Sequence, residues 1–535
     1  MTEVDYIVVG AGTAGCVLAH RLSADPGTSV LLVEAGGRDT HPLIPVPRGF
    51  SELLGDPTTA WHYPTRPFGP AEQVEYWVRG RTLGGSSAVN GMVYNRGHRA
   101  DYDALAARGN PGWGWDDMLP VFTAIEDHRL GASGTRGAGG PLHVSTVDGG
   151  DPLLDDVITA GTGLGWQRTR DLNESDEERI GYAAATIRDG RRVSAADAFL
   201  HPVADRPNLT VVPGTVVERL VFDGRRVVGV RARQDTEPVE YRAGREVILS
   251  AGALATPKIL QLSGIGDRAT LASAGVDVVA ESPNVGARMR EHRGFTLQFR
   301  LTEDLGYNRL LSTPDGRQQA MDDYRSSGGG PMASPSFDVV GFFKTHPELD
   351  RPDAQLLIAP FSMLPPEPGR AIEIEPEPGM LCVAYPLRTD SEGSVRITSA
   401  DPAAPLDIDP GYFGTAHDRT TSVDLFRAVR RLFATAPLAE RIAHETAPGT
   451  TVRTDQEIID AGLVTGTCGY HAVGTAAMGP HDDDVVDPLL RVRGTAGLRV
   501  VDASVLPIMV SGNPNGPVAA LAWHAADHIL AEARV

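Results

Sequence analysis

The stretch Val4-Asp5-Tyr6-Ile7-Val8-Val9-Gly10-Ala11-Gly12-Thr13-Ala14-Gly15 decides the fold. Its first six residues are β-branched and almost all apolar, the pattern of a strand buried in a parallel sheet. After the glycine turn, Cys16, Leu18, Ala19 and Leu22 continue with helical spacing, predicting a helix from Thr13 to Ala24. Asp25-Pro26-Gly27 breaks that helix, and Ser29 to Val33 predicts a second strand ending at Glu34. This β-α-β unit is the setting in which a G-x-G-x-x-G turn binds a dinucleotide. Gly10 permits the bend, Gly12 lets backbone approach a pyrophosphate, and Gly15 lets helix and strand pack closely. Thr13 and Ala14 open a helix whose free N–H groups attract phosphate, and Glu34, followed by Ala35, can accept from ribose hydroxyls. The turn alone does not separate FAD from NAD. Ala160-Gly161-Thr162-Gly163-Leu164-Gly165 looks similar but follows a helical pattern, and reads as a C-terminal cap.

Outward from that unit, 535 residues exceed one ordinary core and predict two domains. Hydrophobic content of 41% with 22% charged residues is that of a globular protein. The net charge of −20 argues against nucleic acid or an anionic membrane as partner, since either needs a basic face. Only Lys258 and Lys344 are lysines among 49 basic residues, a bias of GC-rich, bacterial coding. Cys16, Cys382 and Cys468 have no paired spacing, so neither a disulfide framework nor a metal site is expected, and a reducing, cytoplasmic setting fits. Cys468 reads as a small buried residue rather than a nucleophile. No apolar run reaches the roughly 18 residues of a spanning helix.

Further along, 38–70 lacks periodicity and predicts an extended covering segment, and 79–97 a buried loop leading into a helix. A helix is expected from Asp151 to Gly163 and a strand from Gly181 to Arg188. Asn208–Val212, Val216–Phe222 and Arg226–Arg233 predict a small antiparallel sheet with a hairpin at Asp223-Gly224. Arg245–Ser250 reads as another buried strand, turning at Ala251 into a helix with Pro257 near its start. Leu498–Val501 is the final strand and Val518–Glu532 a closing helix.

Four segments together resemble the glucose–methanol–choline (GMC) oxidoreductases. They are the N-terminal unit; Arg79-Gly80-Arg81-Thr82-Leu83-Gly84-Gly85-Ser86-Ser87-Ala88-Val89-Asn90-Gly91-Met92-Val93-Tyr94-Asn95-Arg96-Gly97; Gly252 through Gly266; and the His471 region through Asp502-Ala503-Ser504 to Gly516. The resemblance implies an α/β fold, with a Rossmann-like FAD-binding domain and an interleaved substrate domain on an antiparallel sheet. The expected division is 1–290 for FAD, with 50–78 and about 145–190 as covering or substrate-domain segments, 291–450 for substrate, and 451–535 returning to the FAD domain. It also implies that Gly84, Gly85, Ser86, Asn90, Gly91 and Val93 line the pyrophosphate and isoalloxazine. Val217 and Ala251 would meet the nucleotide, and Asp502, Ala503 and Pro514 would lie beside it. Some relatives attach FAD through a histidine in the second segment; Ser87-Ala88-Val89-Asn90 has none, so noncovalent FAD is expected.

The same resemblance places His471 over the flavin as the base for an alcohol, with Asn513 hydrogen-bonding the substrate oxygen. Histidine suits that task because its ordinary pKa of about 6.5 leaves a neutral fraction near pH 7. The expected activity is oxidation of a small-molecule alcohol to a carbonyl, with oxygen or another acceptor taking the electrons. A hydroxynitrile-lyase-like protein and an NAD-dependent or non-catalytic nucleotide-binding protein are the alternatives. His62, His98 and His292 read as structural or surface residues, Tyr470 and Gly329 to Phe337 as pocket elements, and Gly469 as space for oxygen. The closing helix is expected to aim its N-terminus at the flavin.

Overall fold

A computed structural model describes residues 3–147, 149–364 and 373–533. Two large sheets organise it. The first has seven strands in the order Leu209–Val212, Val30–Val33, Glu3–Val9, Glu237–Leu249, Arg226–Gln234 and Thr215–Asp223, with Leu498–Val500 joining Glu237–Leu249. Leu209–Val212, Val30–Val33, Glu3–Val9 and Glu237–Leu249 run parallel, as does Leu498–Val500. Glu237–Leu249 pairs antiparallel with the hairpin through its first half and parallel with Leu498–Val500 through its last residues. Its apolar C-terminal end, Val247 to Leu249, is fully buried, whereas its polar start is partly exposed. The helix Thr13–Leu22 and the closing helix, Asn515–Glu532, pack against each other in the same core.

Several sequence expectations shift here. Leu209–Val212 does not join a separate small sheet: it extends the parallel sheet beside Val30–Val33. Asn208 directs this, its Nδ2 donating to the carbonyls of Ser23, Asp25 and Thr28 at distances of 2.7 to 3.1 Å. The hairpin forms at Asp223-Gly224 as expected, but its strands continue the main sheet. The 38–70 segment contains a helix, Phe50–Gly55, and a strand, Ala60–Pro64, that pairs with Tyr76–Gly80. The strand expected over 181–188 divides into Arg179–Tyr182 and Ile187–Arg188. Pro257 lies inside the helix Gly252–Leu262 rather than at its start. A proline there cannot donate to the carbonyl four residues earlier. That carbonyl, of Ala253, instead accepts from Thr475 Oγ1 at 2.7 Å, which ties the helix to the His471 segment. The closing helix begins at Asn515, three residues earlier than its apolar pattern indicates.

The second sheet has eight strands: Ile442–Ala447, Arg293–Leu301, Gly379–Pro386, Ala354–Ala359, Val339–Phe343, Arg179–Tyr182 and Gln167–Arg168 in order, with Thr467–Cys468 pairing Arg293 and Gly294. All pairings are antiparallel except the last in that order. Alternate residues face opposite ways, as strand geometry requires. Phe295, Leu297, Phe299, Ile358 and Cys382 pack against the helices Pro152–Gly163 and Ala416–Phe433. Leu357, Leu381, Val383 and Tyr385 face the other way, onto a cavity between the sheets. Both faces are therefore covered. No helix among the described residues is long and apolar enough to cross a membrane.

Candidate active site

The cavity has a volume of about 970 Å³ and runs from the first glycine turn to the underside of the second sheet. At one end Gly10, with φ of 98°, could not carry a side chain: a Cβ would lie 2.6 Å from the Ser250 carbonyl oxygen. Gly15 is tighter still, its Cβ position being 1.8 Å from the Gly10 carbonyl oxygen. Gly12 differs, because a Cβ there would meet nothing within 4 Å. It and Thr13, Ala14, Glu34 and Ala35 line the cavity, and no side chain caps the helix that begins there. The wall also holds Ser250, whose buried Oγ has no partner among the described residues. Glu34 is buried, accepting from the N–H of Ala11 at 2.8 Å and of Gly36 at 2.7 Å; burial pushes its carboxyl up, against those two donors. An open backbone approach, an uncapped helix start, an orphan hydroxyl and a carboxylate at the end of the second strand suit a dinucleotide.

The second motif lies against this turn. A Cβ on Gly85 would be 2.6 Å from Gly12 Cα, so only glycine lets the two loops touch. Gly85, Ser86, Asn90, Gly91 and Val93 line the cavity, as do Val217, Ala251, Asp502, Ala503, Asn513 and Pro514. Gly15 and Gly84 do not. Gly84, with φ of 85°, shapes the loop and donates to the Ala11 carbonyl at 2.8 Å. Asn90 is held by the buried Arg192, whose Nη1 donates to its backbone and side-chain oxygens at 2.6 and 3.0 Å. Asp502 uses its carboxylate within the fold, accepting from the Gly252 N–H at 2.9 Å and from Thr256 Oγ1 at 2.6 Å. Thr13 Oγ1 donates to Asn515 Oδ1 at 2.6 Å, joining the first helix to the start of the last.

At the other end His471 and Asn513 meet, with Asn513 Nδ2 3.2 Å from His471 Nε2. Both line the cavity beneath Tyr385. Behind them the structure places a residue that sequence reading set aside. His292 is fully buried, its Nδ1 2.9 Å from His471 Nδ1 and its Nε2 3.0 Å from the Leu387 carbonyl oxygen. It is neither a surface residue nor remote from the site. Burial lowers the pKa of His292 to about 4 and holds His471 well below the ordinary histidine value, with His292 and Arg79 adding to the latter. Glu291 Oε1 accepts from the backbone N–H of both His292, at 2.8 Å, and His471, at 2.6 Å. Burial pushes its carboxyl up to about 7, opposed by Arg79 Nη2 at 3.5 Å and those two donors.

Gly469 lines the cavity beside the histidine pair. A Cβ there would sit 2.8 Å from His292 Cβ and 3.0 Å from His471 Nδ1, so the glycine makes room for the histidine pair. Tyr470 lines the cavity with φ of 60°, and of the stretch from Gly329, Met332, Ser336 and Phe337 reach the wall. Cys468 also lines it, but burial drives its thiol well up, as expected of a packing residue. His98 caps the helix Arg99–Ala107, and His62 Nε2 bonds the Leu54 carbonyl at 2.7 Å. The other residues that complete the site, Gln355 and Tyr385, sit on the second sheet, where no motif marks them. All three cysteines are buried and unpaired.

A dinucleotide cradle opening onto a buried histidine beneath an apolar sheet suits a dinucleotide-dependent oxidoreductase. Comparison with known proteins gives the same answer. Residues 4–293 and 389–522 match the two family models described as GMC oxidoreductase. The alcohol dehydrogenase [acceptor] of Pseudomonas putida is 37% identical, covering 98% of this chain and 95% of its own. The mitochondrial choline dehydrogenase of Homo sapiens is also 37% identical, over 98% and 90%. Among solved structures, pyridoxine 4-oxidase from Mesorbium loti superposes with a TM-score of 0.88 at 32% identity, covering 98% of each chain. The chain belongs to the GMC oxidoreductase family. It is an FAD-dependent oxidoreductase acting on CH–OH donors.

Proposed function

We propose that this enzyme oxidises a small-molecule alcohol to the carbonyl, with His471 as base and Asn513 as the group that orients the substrate oxygen. The observation that carries this reading is the 3.2 Å contact between the two side chains on a cavity wall shared with the glycine turns. A hydroxyl reaching both atoms from the cavity would accept from Asn513 Nδ2 and donate its proton to His471 Nε2. Burial keeps His471 uncharged near neutral pH, the state a base requires. When bound, FAD accepts hydride from the carbinol carbon. His471 would thus take only the hydroxyl proton, the hydride and the electrons being the share of bound FAD and of oxygen or another acceptor.

FAD is held noncovalently in this reading, with residues 1–290 and 451–535 forming its domain and 291–450 the main substrate domain. Gly10, Gly12, Thr13, Ala14, Gly85 and Ser86 bring backbone to the pyrophosphate, and Glu34 takes the ribose hydroxyls. Asn90, Gly91, Val93, Ala503 and Pro514 surround the ring system, and Val217 and Ala251 face the nucleotide. The uncapped start of the closing helix, at Asn515, adds positive potential at the ring. The unpaired cysteines favour a reducing, cytoplasmic setting.

Anaerobic mixing with a panel of alcohols tests the reaction: flavin bleaching in the wild type and a rate at least about 1,000-fold lower in His471→Gln are expected. Alcohols that bind without bleaching would favour the lyase reading instead. Acid precipitation tests attachment. A yellow supernatant over a colourless pellet is expected, and a yellow pellet would mean a covalent bond.

A further inference from the structure

We propose that His292 is a positioning residue that fixes His471 in its Nδ1–H tautomer, presenting a bare Nε2 to the substrate hydroxyl. This rests on the reading of His471 as the base, and adds which nitrogen acts and what sets it.

The proton positions follow from donors and acceptors. A neutral imidazole has one nitrogen that donates and one that accepts. The Leu387 carbonyl oxygen only accepts, so the His292 Nε2 at 3.0 Å carries the hydrogen. His292 Nδ1 is then bare. The His471 Nδ1 facing it at 2.9 Å must be the donor, which leaves His471 Nε2 without a proton. Had His471 carried its hydrogen on Nε2, two bare Nδ1 lone pairs would face each other in a fully buried place, where unmade hydrogen bonds cost most.

A second chain of hydrogen bonds ends on the same atom from the opposite side. Tyr385 Oη donates to Gln355 Oε1 at 2.8 Å, and Gln355 Nε2 donates to Asn513 Oδ1 at 3.2 Å. Asn513 Nδ2 lies 3.2 Å from His471 Nε2, a contact in which a bare Nε2 accepts. The Leu387 carbonyl assigns the tautomer, and the contact from Asn513 is compatible with it.

The surroundings hold His292 in place. Its ring stacks on Tyr385, centroids 4.6 Å apart and planes 22° from parallel, and stands at 89° to the His471 ring. Glu291 Oε1 accepts from the backbone N–H groups of both histidines, and Gly469 supplies the space between them. His471 can then take a proton on Nε2 without turning, because its Nδ1–H bond to His292 is present before and after the transfer. A serine-protease aspartate plays the equivalent part, and the wrong tautomer there costs about 10,000-fold in rate. A neutral histidine partner should matter less.

The experiment is ¹H–¹⁵N spectroscopy of the FAD-loaded enzyme labelled in histidine, with the His471 signals identified by their loss in His471→Gln. A protonated Nδ1 and a bare Nε2 are expected; a protonated Nε2 at neutral pH overturns the proposal. Anaerobic flavin reduction supplies the second readout. His292→Leu should slow reduction about 100-fold with the apparent substrate Kd changed less than about 3-fold, and His292→Gln, which can accept from Nδ1 and reach Leu387, should recover at least about tenfold of that loss. An FAD-loaded His292→Leu enzyme that reduces at the wild-type rate also overturns it. If either variant fails to load FAD, the wild-type spectrum decides. If His471→Gln reduces its flavin normally, the base reading fails, while the spectrum still decides the tautomer.

Discussion

The two ends of the cavity are built by opposite means. Around Gly10 and Gly85 the wall is backbone, packed so closely that a single added carbon would lie 2.6 Å from another main chain, and Gly15 just behind it is tighter still, at 1.8 Å. Under the second sheet the wall is side chains, among them Leu357, Leu381, Val383 and Met332, projecting from strands and loops. A wall of backbone can be made from few residue types, and so leaves a mark in the sequence. A wall of side chains admits many, and leaves almost none. The end that grips what all such enzymes share is constrained; the end that meets the particular alcohol is free to vary.

The largest expected effect breaks the backbone wall. Gly15→Ala places a carbon 1.8 Å from a carbonyl oxygen, and should destabilise the protein by about 3 kcal/mol or more, with loss of flavin. Gly12→Ala is the counterpart. Its added carbon meets only open cavity, so the flavin-free protein should keep its thermal midpoint while flavin affinity falls sharply. Equal thermal losses in the two variants would erase the distinction between shaping the turn and facing the cofactor.

A middle-sized effect concerns pH, at the junction of the two walls. His292 has its pKa lowered to about 4, so between about 6.5 and 4 the unfolded chain binds the extra proton and stability falls as pH drops. Glu291 is raised to about 7, so between about 4.5 and 7 the folded protein binds the extra proton and stability falls as pH rises. The two slopes oppose each other over most of their range. Removing one should reveal the other: Glu291→Gln should show an unfolding midpoint that climbs more steeply from pH 4.5 to 6.5 than the wild type. An unchanged slope would show that the two groups do not compensate. The smallest effect lies on the side-chain wall. Met332→Ala should leave flavin content and stability near wild type, while shifting kcat/KM between bulky and small alcohols by about tenfold.

That contrast also explains what the sequence disclosed. The unit from Val4 to Glu34 was legible because two glycines meet backbone and a third faces the open cavity. Leu209–Val212 was misplaced because four apolar residues look alike in a parallel or an antiparallel pairing, and the Asn208 contacts that settle it reach back 180 residues or more. The second sheet was legible only as a region. Val339–Phe343, Ala354–Ala359 and Gly379–Pro386 are buried on both faces, so the alternation that reveals a strand is missing. His292 sits in Arg290-Glu291-His292-Arg293, which reads as a charged surface run, yet the protein buries Glu291, His292 and Arg293. Its partner lies 179 residues away, and no local pattern encodes that meeting.

The 2.6 Å bond from Thr13 to Asn515 carries a consequence for how the molecule is made. During synthesis the nucleotide turn is among the first structures to leave the ribosome. Its sheet stays open beside Glu237–Leu249 until Leu498–Val500 has been added, and Thr13 lacks its Asn515 partner until the closing helix emerges. Completion of the cofactor cradle is therefore coupled to the end of translation, so a nascent chain arrested before residue 498 would hold flavin poorly, however complete its first half.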